Sequence, residues 1–144
     1  MKATATARLA MQQIRPSASR VAIMRYLLEH PAHPTADAIW RALQPAIPSL
    51  SKTTVYNTLK LFAERSIVET IDIDSENVRY DATIREHAHF RCDVCGSIHD
   101  IDLEPAISDK ISRNCPEAFG KARVSVHLHG VCPRCRASRS HPEN

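Results

Sequence analysis

No apolar run in this 144-residue chain approaches the roughly 18–20 residues that a membrane span needs. The N-terminal stretch MKATATARLAMQQIRP is too polar to hold the apolar region of about 7–15 residues that a secretory signal carries. Internal repeats and low-complexity tracts are missing too, and only the tail RASRSHPEN reads as loose. These absences argue against a membrane-embedded protein, and the expected compartment is the cytoplasm. There, five cysteines are not expected to form disulfides. What remains is an ordinary folded composition, 43% hydrophobic and 24% charged, at a length that suits one large domain or two small ones.

The net charge of +3 hides an asymmetry. Residues 1–71 carry nine Lys/Arg against four Asp/Glu, whereas residues 72–144 carry ten against twelve. A basic front half suggests an anionic partner, nucleic acid above all.

Leu9, Ala10, Gln13 and Ile14 have helical spacing in a segment from about Thr4 to Ile14 that stops before Pro16. A second helix is expected from Ser17 to about Glu29, with Val21, Met24, Leu27 and Leu28 on one face, and HPAHPT breaks it. Thr35 suits the N-cap of a third helix carrying Ala38, Ile39, Trp40 and Leu43. Ser51 suits that of a fourth, KTTVYNTLKLFAER, with Val55, Leu59 and Phe62 inward. SIVETIDI, DSEN and VRYDA then read as strand, turn and strand. Helices followed by a hairpin, with a short turn ahead of the fourth helix, form the winged-helix arrangement. Past a boundary near residues 82–86, HAHFRC and SIHDIDL read as strands, PAISDKISRN as a helix and ARVSVHLHGV as an alternating strand. The expected fold class is α+β: a winged-helix DNA-binding domain over 1–83 and a small α/β domain over 84–144.

On the fourth helix, Lys52, Thr53, Thr54, Tyr56, Asn57 and Lys60 are left pointing outward. Hydroxyl and amide side chains can read base edges in a major groove, and lysines can pair with phosphates. Arg15 and Arg20 flank the start of the second helix and suit phosphate or minor-groove contacts. The bland alternative is a solvated helix face; the basic half and the wing favour DNA.

Residues 85–102, REHAHFRCDVCGSIHDID, interleave two kinds of metal ligand. Cys92/Cys95 and Cys132/Cys135 are two Cys-x-x-Cys pairs near strand ends, the pattern of a zinc ion held by four thiolates. CPRC also resembles oxidoreductase active sites, but those need no second pair and sit in a βαβ context that is missing here. Cys115 stands alone and reads as a small, partly buried residue. His87 and His89 lie two apart on a strand and share a side. Asp100 ends the neighbouring strand, Asp81 ends the hairpin and His33 precedes the third helix. Imidazoles and carboxylates without thiolate favour Fe(II), Mn(II) or Zn(II) over Cu(I). Spacing alone does not enlist His33 or Asp81. His127 and His129 also share a strand face; a further metal site is one reading of the pair, and packing or dimer-surface histidines is the favoured one.

The stretches AHPTADAIWRAL, SKTTVYNTLKLFAERSIVE, VRYD, EHAHFRCDVCG and GVCPRC, in this order, resemble the ferric-uptake-regulator family over about residues 8–136. The resemblance implies a homodimeric, metal-dependent repressor of double-stranded DNA operators, with the second domain serving dimerisation. The residues themselves offer no activated nucleophile and no Glu placed as a general base beside the paired histidines, so an enzyme is not expected. It implies structural Zn(II) on Cys92, Cys95, Cys132 and Cys135. It also implies a regulatory Fe(II) or Mn(II) between the domains on His33, Asp81, His87, His89 and Asp100. Asp at position 100 looks like the peroxide-sensing branch, since iron-uptake regulators typically carry Glu there. Those regulators also tend to show His-His-Asp-His where this chain has Glu86-His87-Ala88-His89, which removes two ligands of an additional site. In the peroxide-sensing branch a ligating histidine is oxidised, here His33 or His87, and hydrogen peroxide is the signal. The rival reading is an iron-uptake or zinc-uptake regulator using the same site reversibly. Ser19 stands where the family usually shows Gln, and Asn57 where many members carry Arg, so an operator sequence does not transfer.

Overall fold

The computed structural model describes residues 4–72, 77–120 and 122–139, and the chain divides into two compact units, Met1–Thr83 and Ile84–Asn144. Among the described residues no helix is long and apolar enough to cross a membrane.

The first unit is built from α1 (Ala5–Met11), α2 (Ala18–Glu29), α3 (Ala36–Leu43) and α4 (Lys52–Glu64). Each helix starts where a hydroxyl satisfies an otherwise orphaned N–H. Thr4 accepts from Ala7, Ser17 from Arg20, Thr35 from Ala38 and Ser51 from Thr54. α1 and α4 also end alike. Gln13 and Ser66 take φ values of 56° and 55°, and the N–H groups of Ile14 and Ile67 reach back to the carbonyls of Leu9 and Phe62. This left-handed closure satisfies the last carbonyls. Because the chain turns out of the helix before Gln13, the helical spacing expected through Ile14 fails. Ala10 and Gln13 are exposed, and Arg8 takes the buried place beside Leu9. On α3, Ala38 is exposed, and Ala36 is buried beside Ile39.

Leu9, Ile23, Met24, Ile39, Val55, Leu59 and Phe62 are 0% exposed and form the centre of this unit's core. A hairpin follows, β1 (Glu69–Ile71) against β2 (Arg79–Asp81), antiparallel with Glu69 opposite Asp81. Its strands are shorter than SIVETIDI and VRYDA suggest, and most of the DSEN turn lies outside the described residues. Three-helix packing closed by a two-stranded wing is the winged-helix arrangement.

The second unit holds β3 (His87–Cys92), β4 (Ile98–Asp102), α5 (Ile107–Ser112), β5 (His127–Gly130) and α6 (Pro133–Arg139). Its sheet runs β4-β3-β5, with β3 antiparallel to β4 and parallel to β5. ARVSVHLHGV is a strand over His127–Gly130 only, where it pairs with His89–Cys92. The tail, expected loose from Arg136, continues α6 to Arg139. Pro133 explains the start of that helix, since a fixed φ and a missing N–H suit the first helical position.

Register sorts the sheet into two faces. Ala88, Phe90, Ile101 and Leu128 share one; His87, His89, Asp100 and His127 share the other. Among the described residues of this unit the buried apolar ones are Ala88, Cys92 and Cys132, while Ile84, Val94, Ile101, Ile111, Phe119 and Leu128 are exposed. So little buried surface does not by itself hold a unit of this size together, and such units rely on a cross-link, a metal or a partner chain.

Candidate metal centres and nucleic-acid face

Cys92 closes β3, and a tight turn returns the chain to β4. The Cys92 N–H donates to the Ser97 carbonyl and the Gly96 N–H to the Cys92 carbonyl, both at 2.9 Å. Gly96 takes φ 71°, which a side chain would strain. Cys132 follows β5, and Cys135 lies within α6 rather than at a strand end. The four Sγ atoms lie within 4.8 Å of one another, with Cys95 and Cys132 3.9 Å apart. Thiolates about 2.3 Å from a tetrahedral zinc are about 3.8 Å from each other, so this donor set fits Zn(II).

The thiols divide their protons unevenly. The Cys95 thiol is lowered to about 5, first by the Ser97 hydroxyl 3.0 Å away and then by the Ser97 N–H. Cys92 is lowered by the backbone N–H groups of Cys132 and Cys95. Cys135 is pushed up to about 12, first through its contact with Cys132 and then by burial. Four sulfurs this close do not all ionise without a cation, and Zn(II) supplies that charge. Cys115 lies outside the cluster and is half-buried.

In the first unit, His33 and Asp81 are brought together by β2. The Tyr80 N–H donates to the Pro34 carbonyl, Arg79 Nη1 donates to the His33 carbonyl, and Thr35 bridges to Arg79. His33 and Asp81 are 5% and 4% exposed, with Nε2 and Oδ2 3.5 Å apart. His33 holds φ 52°, an uncommon conformation of the kind that clusters at functional sites. Asp81 Oδ1 accepts the Thr83 N–H at 2.7 Å, which fixes the carboxylate plane.

In the second unit, His87, His89 and Asp100 converge on one sheet face. The His87 and His89 Nε2 atoms are 3.0 Å apart, and Asp100 Oδ1 is 3.8 Å from each. Ligands at about 2.1 Å on adjacent octahedral positions are also about 3.0 Å apart. His87 Nδ1 lies 2.7 Å from the Arg85 carbonyl. A carbonyl only accepts, so Nδ1 carries a proton, and in the neutral imidazole Nε2 then holds the lone pair, the tautomer a metal ligand needs. Arg85 also pairs with Asp102 and lies 4.0 Å from Asp100 Oδ2, which leaves Oδ1 toward the imidazoles. His127 stands opposite His89 on β5 with ring centroids 6.0 Å apart; His129 is exposed, 3.9 Å from Asp93.

On α4, Lys52, Thr53, Tyr56, Asn57 and Lys60 are exposed, and Thr54 is half-buried with its hydroxyl 2.9 Å from Ser51 Oγ. Lys52 lies 3.5 Å from Asp37 and 4.9 Å above the Trp40 ring. Arg15 is exposed, and Arg20 Nη1 donates to its carbonyl at 2.9 Å. Ser17, Ser19, Arg20, Thr54, Asn57 and Thr58 line a groove between α2 and α4.

Three supporting groups escaped the reading of the sequence. Ser97 lies 3.0 Å from Cys95 Sγ and 2.8 Å from His99 Nε2. Arg85 orients both His87 and Asp100. Arg8 donates Nη2 to the carbonyls of Ala82 at 2.8 Å and Ile67 at 3.2 Å. Burial lowers the Arg8 guanidinium from its usual value, and Asp81 opposes that shift. Only Arg8 left a trace in the sequence, as a cation spaced i, i+3 from Ala5 on an otherwise apolar stripe.

The sequence profile of the ferric uptake regulator family matches residues 11–131. The peroxide-responsive repressor PerR of Staphylococcus epidermidis is 33% identical over 125 residues, 85% of this chain and 82% of its own. The crystal structure of the Campylobacter jejuni peroxide stress regulator aligns with a TM-score of 0.65 and 26% identity, over 80% of this chain and 87% of its own. The Pseudomonas aeruginosa ferric uptake regulator with manganese has the same fold, at a TM-score of 0.72 and 19% identity over 91% and 99% of the two chains.

Proposed function

The chain belongs to the ferric uptake regulator family, and from that premise we propose a homodimeric repressor that needs Fe(II) or Mn(II) to hold DNA and releases it on exposure to hydrogen peroxide. The observation that carries this reading is the orientation of His87. Its Nδ1 proton is spent on the Arg85 carbonyl, so Nε2 is a donor beside His89 and Asp100. His33, Asp81, His87, His89 and Asp100 are the proposed donors to one regulatory ion, two from the first unit and three from the second. Such a nitrogen and oxygen set suits Fe(II) and Mn(II), and an ion held by these five residues would still have room to take up a small oxidant. Bound Fe(II) would supply the chemistry that splits hydrogen peroxide: one oxygen atom would be added at a ring carbon of His33 or His87, the other would leave as water, and the net two electrons would come from the imidazole. An oxidised imidazole no longer donates. The two units then lose the interaction that favours the DNA-binding arrangement. Asp100 and the 33% identity to a peroxide-responsive repressor support this branch over reversible iron or zinc sensing.

The basic first unit supports α4 as the helix that reads DNA. Thr53, Thr54, Tyr56 and Asn57 face base edges, while Lys52, Lys60, Arg15 and Arg20 face phosphates or the minor groove. The exposed apolar face bearing Ile101 and Leu128 supports a second copy as its cover. The test is selection of duplexes from a random pool by Mn(II)-loaded protein. Binding of the selected duplex should require Mn(II) or Fe(II), fail with chelator, and be lost to peroxide only in the Fe(II) form. Peroxide-resistant binding in the Fe(II) form would make the chain a reversible metal sensor.

A further inference from the structure

We infer that Arg8 is a positioning residue for Asp81, an inference that rests on Asp81 belonging to the regulatory donors. One peptide group links the two residues. It carries the Ala82 carbonyl on one edge and the Thr83 N–H on the other. Arg8 Nη2 donates to that carbonyl at 2.8 Å, and the N–H donates to Asp81 Oδ1 at 2.7 Å. A charged donor on the carbonyl polarises the same peptide's N–H and strengthens its bond to the carboxylate.

Arg8 holds the peptide in place as well as polarising it. The same Nη2 donates to the Ile67 carbonyl at 3.2 Å, two residues ahead of β1. Glu69 of β1 pairs opposite Asp81 of β2, so one guanidinium from α1 ties both chains at the open end of the hairpin. Arg8 is 8% exposed, which keeps water from replacing these bonds. With Oδ1 pinned by Thr83, Oδ2 is the Asp81 oxygen that faces His33 Nε2, 3.5 Å away. Arg8 therefore decides which oxygen is presented to a cation, from an element with no donor of its own.

The experiment is a double-mutant cycle on the full-length, zinc-loaded chain. Arg8→Met, Arg8→Lys, Asp81→Ala and the double variant Arg8→Met/Asp81→Ala are titrated with Mn(II), with free ion read by electron paramagnetic resonance. Zinc content and Trp40 fluorescence verify the fold. Removing an outer partner of a metal ligand typically costs roughly 10–100-fold in affinity, and Arg8→Met should weaken Mn(II) binding by that factor. Arg8→Lys, which keeps the charge and a donor, should fall between it and the parent. In the Asp81→Ala background Arg8→Met should have no further effect, because its route to the metal is gone. An unchanged Kd for a folded Arg8→Met, or an equal loss in the Asp81→Ala background, would overturn the inference. Should Arg8→Met not fold, the same cycle with Arg8→Lys decides. If Asp81→Ala alone leaves Mn(II) binding intact, the assignment of Asp81 to the regulatory donors is what fails.

Discussion

Substituting Cys92 by alanine should unfold the second unit while leaving the first intact. Cys92 is 0% exposed, and its sulfur accepts the Cys132 N–H at 3.3 Å. Leaving that buried donor unpaired costs about 1–3 kcal/mol. Structural zinc contributes about 10–16 kcal/mol in small zinc-dependent folds, so one ligand in four is worth roughly 2.5–4 kcal/mol. Together these amount to roughly 4–7 kcal/mol, against the 5–15 kcal/mol that typically stabilises a whole domain. A unit whose buried apolar residues are Ala88, Cys92 and Cys132 sits at the low end of that range. The first unit has its own core and contains Trp40, the chain's single tryptophan, whose Nε1 donates to the Leu50 carbonyl at 2.9 Å. Hydrogen exchange and a urea melt followed by tryptophan fluorescence separate the two units. Amide protection in β3, β4 and β5 should vanish in Cys92→Ala, with the fluorescence midpoint little changed. Retained protection in the sheet would refute the reasoning, since it would mean that packing without zinc suffices.

Other consequences are cheaper to check. The Cys95 thiol is lowered from its ordinary value to about 5, so its contribution is fully present above the ordinary thiol value and is lost progressively as pH falls toward 5; zinc release followed by a chromogenic chelator should rise gradually as pH is lowered through that range. His87→Ala should weaken Mn(II) binding at least tenfold while zinc content and the Trp40 melt stay as in the parent chain. Ser51→Ala removes the cap on the Thr54 N–H and should cost about 1 kcal/mol in the fluorescence melt. Lys60→Ala should reduce the slope of log K against log salt for the selected duplex by about 0.9, the loss of one phosphate contact.

The parts of the fold that were legible are those governed by local rules. Thr35 and Ser51 announce their helices because a hydroxyl followed by an amphipathic run is a start signal. The two Cys-x-x-Cys pairs announce a zinc centre because spacing and ligand type coincide. α6 was not legible because the polar tail from Arg136 reads as loose, although Pro133 is a helix-start signal. β5 came out shorter than its alternation because a strand extends only as far as it is paired, and β5 pairs with His89–Cys92 of β3. Arg8, Arg85 and Ser97 were not legible as supports. Each acts through a carbonyl, a carboxylate or a thiol that the folded backbone brings close, and periodicity carries no record of such meetings. The proposed regulatory donors show both cases. His87 and His89 share a face by the two-residue period, while His33 and Asp81 meet because β2 hydrogen-bonds the loop that carries His33.

Peptide mass mapping after a peroxide pulse tests the central claim most directly. The zinc-loaded chain would be prepared anaerobically with Fe(II), and in parallel with Mn(II), and each sample given stoichiometric hydrogen peroxide. The account predicts one added oxygen atom on the peptide containing His33 or His87, in the Fe(II) sample only, with loss of duplex binding in step. Unmodified peptides, in a sample whose duplex binding still depends on Fe(II), would contradict peroxide sensing and leave a reversible metal-responsive regulator.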